Sequence, residues 1–274
     1  MFHRRPFRRL LIASPLVRHR NFSAEAQALF ARFTTPPTSA RKTAINNLIV
    51  SLKAAGVWAK LDAFYVLAAA DAQAARLNWK PAPAFNLSVV GSPTFTADRG
   101  YAGNGTTAYL DTGFDPAVAA GNYSQNSAHL AVWNNTSRVQ NSTVALGVRN
   151  NAQTEFAALL PFTGTTTLAR LNSAVGGTPA NNASSLGHFI ANRSASNAVQ
   201  IYKDGAAIGS NASASVSLLG GSIFIGGENR VGVGLLSGST DQFGSDSIGG
   251  SLSAGEVAAY RAALLTYMQS VGNA

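Results

Sequence analysis

Hydrolysis of a glycosidic bond usually takes two carboxylates a few ångströms apart, and a strand reading Glu-x-Asp-x-x-Glu is the common way to set them on one face. This chain has only Glu25, Glu155, Glu228 and Glu256, and none has another Glu or Asp within five positions. It contains no cysteine, which excludes disulfides and thiolate metal sites. Neither a Gly-x-Ser-x-Gly elbow nor a Walker loop occurs. The glycine-rich stretch at residues 226–234 follows a strand pattern and reads as a loop. Asp98, Asp111, Asp115, Asp241 and Asp246 have the oxygen chemistry a Ca²⁺ ion takes, but no clustered spacing selects among them. The expectation is a non-enzymatic protein with no cofactor, a structural Ca²⁺ being unsupported.

Residues suited to binding are easier to find. In His129-Leu-Ala-Val-Trp133, strand alternation turns Leu130 and Val132 to the core and His129 and Trp133 away from it. The same rule puts Arg149 outward after Val144, Leu146 and Val148, and Gln200 and Tyr202 outward from Val199 and Ile201. If these strands are neighbours, His129, Trp133, Arg149, Gln200 and Tyr202 share one outer face. Sugars stack C–H faces on aromatic rings and offer hydroxyls to amide and guanidinium donors, so the set is a candidate glycan site. The competing expectation is that helices cover this face and make Trp133 a packing residue.

The elements that position these residues are short. Runs at 86–90, 94–97, 108–113, 129–134, 143–149, 155–160, 187–192, 199–203, 206–209, 222–225 and 245–251 read as strands, separated by Gly, Asn, Ser and Pro. Asp204-Gly205 is a hairpin signal, because a type I′ turn needs positive φ at both central residues. Such spacing predicts a mainly β fold, two antiparallel sheets packed face to face. Before it, Ser23 caps a short helix that Pro36-Pro37 ends, and Ile45, Leu48, Ile49 and Leu52 form the apolar stripe of a second. Residues 57–67 are expected to continue as helix, with Trp58, Leu61, Phe64 and Tyr65 on one side, and the alanine-rich residues 68–75 to extend it. Ser253 is placed as the N-cap of a closing helix at 257–268.

The formal charge of +9 resembles a nucleic-acid signal, but Arg4, Arg5, Arg8, Arg9, Arg18 and Arg20 supply most of it, and the first acid is Glu25. The rest is near neutral, with charged residues at 12% against roughly 25% in an ordinary domain. No nucleic-acid partner and no membrane insertion are expected. Apolar Phe7 and Leu11 are interleaved with those arginines. Residues 1–21 are therefore expected to be a docking arm, pairing guanidinium groups with carboxylates on a partner, rather than a cleaved leader. Residues 22–80 are expected to be a helical attachment segment and 81–274 the sandwich.

The run from Val199 to Gly209, the Ile225-Gly-Gly227 strand and Leu252-Ser-Ala-Gly-Glu256 resemble the last third of concanavalin A-like, laminin-G-like jelly rolls. Upstream, Ile45, Leu48, Leu52, Lys53, Gly56, Trp58, Lys60, Asp62 and Tyr65, then Asn78-Trp-Lys80 and residues 94–114, resemble a module found before such domains in bacteriophage and prophage structural proteins. The resemblance covers about residues 40–274. It implies a concanavalin A-like jelly roll in a virion appendage, a head or tail fibre or a decoration protein. Its implied partners are other virion proteins, through the arm, and a host-surface polysaccharide; it also implies a homo-oligomer. A purely structural decoration protein and a secreted bacterial adhesin are the alternatives.

Overall fold

The structure, a computed structural model, describes residues 22–80, 85–119, 121–138, 143–174 and 179–273. The expected docking residues Arg4, Arg5, Phe7, Arg8, Arg9, Leu11, Arg18 and Arg20 lie outside the described residues.

The chain is mainly β: two sheets form a sandwich, and a layer of helices covers one of them. With strands numbered in chain order, the first sheet runs β13 (Ala206–Asn211), β12 (Ala198–Lys203), β11 (Gly187–Ala195), β6 (Ala128–Asn134), β17 (Gln242–Gly249), β4 (Gly100–Ala102) and β3 (Thr94–Thr96), with β1 (Leu61–Val66) also paired to β17. The second runs β10 (Ala180–Asn181), β9 (Thr166–Ser173), β8 (Phe156–Leu160), β7 (Leu146–Arg149), β14 (Phe224–Ile225), β5 (Tyr109–Asp111) and β2 (Ser88–Val90). Pairing is antiparallel except that β15 (Glu228–Arg230) lies parallel to β7 and carries β16 (Gly234–Leu236) on its other side.

Two cores result. Leu130, Val132, Leu146, Val148, Leu159, Leu171, Phe189, Ile201 and Ile248 fill the space between the sheets. The second core lies between the first sheet and helices α1 (Ala24–Phe30), α2 (Ser39–Ala54), α3 (Val57–Lys60) and α5 (Ala254–Ser270); α4 is the single turn Ala72–Ala75. The α2 stripe Ile45, Leu48, Ile49 and Leu52 is buried here as its spacing predicts. The first sheet is thus the middle of three layers, and β6 is buried along its whole length.

Several elements differ from the sequence expectation. Residues 57–67 are not a continuous helix: α3 is four residues long, and β1 follows it at once. The register Phe64↔Ser247 and Tyr65↔Asp246 turns Phe64 and Val66 toward the helices and Ala63 and Tyr65 into the sandwich. A segment apolar on both faces satisfies a helical stripe and a doubly buried strand alike, and pairing with β17 decides between them. Residues 68–71 are not helical, and only the turn Ala72–Ala75 continues the alanine-rich run as helix. Strand β9, which alternates buried and half-buried residues, and the short β10, β15 and β16 have no counterpart among the expected strands; β15 falls within the glycine-rich stretch 226–234 that reads as a loop in sequence, and its pairing with β7 makes it a strand.

Candidate functional site

The structure divides the five candidate binding residues among three places. His129 and Trp133 point away from the sandwich core, as alternation requires, but into the helical layer. His129 is fully buried; its Nδ1 lies 2.6 Å from the Gly250 carbonyl oxygen and its Nε2 3.0 Å from Ser247 Oγ. Those contacts fit a neutral imidazole whose Nδ1–H donates and whose Nε2 accepts. Burial pulls its pKa down to about 4. Trp133 donates from Nε1 to Asn135 Oδ1 at 2.9 Å and stacks on His188 with centroids 6.0 Å apart. The guanidinium of Arg261 on α5 caps the indole at 4.5 Å. This aromatic surface is an internal contact between sheet and helix, closed to a ligand. Arg149 is on β7, in the other sheet, so it cannot share a face with the rest.

Gln200 and Tyr202 behave differently. Strand β12 lies toward the edge of the first sheet; its Tyr202 end joins the core beneath the helices, and its Gln200 end opens on a groove. Pairings Asn192↔Gln200 and Gln200↔Ser210 place an amide, an amide and a hydroxyl side by side across β11, β12 and β13. They form the floor of an open groove of about 660 Å³ that reaches Tyr202, Asn197 and the start of α5 at Ser253. Asn192 is held by a reciprocal pair of bonds, Nδ2 to the Leu252 carbonyl at 3.0 Å and Leu252 N–H to Oδ1 at 2.7 Å. These tie the floor to the α5 N-terminus. Gln200 donates to the Gly209 carbonyl oxygen, which fixes its carboxamide. Asn211 Nδ2, at the groove's edge, is buried with no hydrogen-bond partner among the described residues. Tyr202 is buried at 7% exposure, and that burial raises its pKa, keeping a neutral phenol. No charged side chain lines the groove among the described residues. The arrangement can present amide and hydroxyl groups, with one aromatic edge, to an uncharged polar ligand.

The aspartates considered for Ca²⁺ are apart from one another. Asp98 pairs with Arg41 and Asp241 with Arg138. Asp111 accepts from Gly113 N–H, and Asp115 from Ala117 and Gly221 N–H. Asp246 is buried between the sheets, with neither oxygen hydrogen-bonded among the described residues. No group of three or more His, Cys, Asp or Glu able to hold a metal occurs among the described residues.

No protein-family model matches the sequence, and no curated protein matches it. Solved structures do match. Domain 4 of AbnA, a GH43 extracellular arabinanase from Geobacillus stearothermophilus in complex with arabinotriose, superposes with a TM-score of 0.51 at 14% identity, over 73% of this chain and 98% of that one. A mutant of Trypanosoma rangeli sialidase displaying trans-sialidase activity gives 0.56 at 12% identity, over 82% of this chain but 39% of that one. At such identities the likeness establishes the β-sandwich fold.

Proposed function

We propose that the chain is a non-catalytic, saccharide-binding β-sandwich carried on a phage-type virion, and that the Gln200–Tyr202 groove takes the sugar. The observation that carries this reading is the uncharged floor of Asn192, Gln200 and Ser210, open beside the start of α5. Hydroxyl-rich ligands match amide and hydroxyl partners, and Tyr202 supplies an aromatic edge. The arabinotriose complex of the AbnA domain is an instance of this fold meeting an oligosaccharide. With no carboxylate lining the groove among the described residues, the two-carboxylate route to glycoside cleavage has no local basis there.

The test is a glycan array probed with the full chain and with Asn197→Ala/Gln200→Ala. The parent should mark a restricted set of neutral glycans, and the variant should lose them with its melting temperature kept. A parent that binds nothing on the array sinks the saccharide reading.

The virion assignment rests on the resemblance of residues 40–274 and on the arginine-rich residues 1–21. Deleting that segment should abolish incorporation into particles without moving the melting temperature, and full occupancy after deletion would refute an arm function. A purely structural decoration protein is the second reading. It is favoured by the helical layer that closes the His129–Trp133 face.

A further inference from the structure

The outer face of the second sheet carries a different cleft. It holds about 310 Å³ and is lined by Arg149, Arg170, Glu228 and the apolar Leu160, Leu168 and Pro179. Its shape follows from register. Glu228 pairs with Gly147 and Ala158 with Arg170, while Leu146↔Leu159 sets Gly147 opposite Ala158. One rung therefore reads Glu228, Gly147, Ala158, Arg170 across four strands: a carboxylate and a guanidinium as walls, the two smallest side chains as floor. A Cβ added at Gly147 would lie 2.9 Å from that of Ala158, so the floor is as low as a packed sheet allows.

Charge in this cleft is unbalanced. Arg149 is 9% exposed; its Nε sits 3.0 Å from Glu228 Oε2, an ion pair without an aligned hydrogen bond, and Nη1 donates to Gln153 at 2.8 Å. Arg170 has no ion pair among the described residues, and its Nε is buried without a hydrogen-bond partner. Both guanidinium carbons approach the same ring, Phe156, at 5.9 and 4.5 Å. Two like charges at one ring thus share a single carboxylate. Arg149 and Glu228 answer each other, and Arg170 is left with unspent donors beside an apolar wall. A planar carboxylate matches a guanidinium fork with two parallel bonds. A pyranose ring bearing it has a C–H face for Leu160 and Leu168.

We propose that this cleft is a second, separate binding site, for a carboxylate-bearing saccharide of the uronic-acid type, with Arg170 as the principal contact and Arg149 in support. It shares no residue with the Gln200–Tyr202 groove and stands or falls without it.

The test is calorimetric titration of the full chain with a galacturonate oligomer, its methyl ester and a galactose oligomer of equal length. The acid oligomer should bind at least tenfold more tightly than either neutral one and weaken with added salt. Arg170→Gln should cost tenfold or more in affinity and Arg170→Lys less, because the ammonium keeps the charge but loses the fork. Glu228→Gln should strengthen binding several-fold by removing a competing carboxylate, and Gln200→Ala should leave it unchanged. Should Arg170→Gln misfold, the Lys and Glu228 variants carry the comparison. Equal affinity for acid and ester, indifference to both Arg170 substitutions, or no binding of the acid oligomer at millimolar concentration would each overturn the proposal.

Discussion

Trp133 shows how far single residues could be read. Alternation gives its direction correctly, away from Leu130 and Val132, but direction does not say whether water or another layer lies beyond. The stacked His188 and the capping Arg261 come from β11 and α5, more than 50 residues away in sequence. Trp133→Ala should accordingly cost stability, about 3–5 kcal/mol as for a buried aromatic truncation, measured by chemical denaturation. A change below about 1 kcal/mol would mean the ring is not packed. Burial also fixes pH behaviour. His129 and His188 are pulled by desolvation from 6.5 to about 4 and about 3. Below pH 6.5 the unfolded chain takes up protons that the folded one refuses, so stability falls as pH drops toward 4, by about 3 kcal/mol for each residue. Asp246 acts with the opposite sign. Buried without a partner, it is raised well above 3.8, so the folded chain keeps a proton the unfolded one releases, and stability falls as pH rises above about 4. His188→Phe, which keeps a ring against Trp133 and removes an unpartnered Nδ1, should flatten the acid limb between pH 6.5 and 4. Asp246→Asn should remove the opposing slope. Denaturation at pH 4.5, 5.5 and 6.5 distinguishes both from the parent, and unchanged slopes would contradict the burial argument.

Local elements were legible wherever the signal is carried by backbone chemistry. Asp204 and Gly205 both adopt positive φ, 50° and 87°, and close the β12–β13 hairpin that Asp-Gly predicts. Ser253 caps α5 with a full capping box: its side chain accepts from Glu256 N–H, and the Glu256 carboxylate accepts from Ser253 N–H at 2.6 Å. The Glu256 carboxylate also pairs with Lys60 at 2.6 Å, joining the closing helix to the end of α3. Ser253→Ala should cost about 1 kcal/mol, and thermal unfolding should show it as a drop of a few degrees. No drop would mean the cap is redundant. Elements set by tertiary pairing were not legible. Leu61–Val66 has apolar residues on both faces, so its period fits either helix or buried strand, and its choice of strand depends on β17, far along the chain. The candidate site shows the same division. Gln200 and Tyr202 face outward together because they are two apart on one strand, a local fact. Grouping Arg149 with them needed knowledge of which sheet holds β7. Glu228 and Arg170 escaped notice because their proximity is created by a rung across four strands.

At the scale of the molecule, three layers explain why one outer sheet surface is closed and two clefts stay open. Helices α1, α2, α3 and α5 bury the centre of the first sheet, and α5 reaches the β12–β13 turn, where Arg261 pairs with Asp204 and Tyr202 joins the core beneath the helices. The Gln200–Ser210 end of β12 and β13 stays open, and the second sheet has the Arg149–Arg170 cleft on its outer side. The formal charge of +9 belongs mainly to residues 1–21, so saccharide binding in the uncharged groove should be nearly indifferent to salt. The most direct check is amide chemical-shift mapping of the full chain with the strongest saccharide from the array, at low and moderate ionic strength. The account predicts perturbed amides concentrated at residues 192–202 and 209–212 and at the α5 N-terminus, unchanged by salt. Perturbations gathered elsewhere on the sandwich, with residues 192–202 silent, would contradict it.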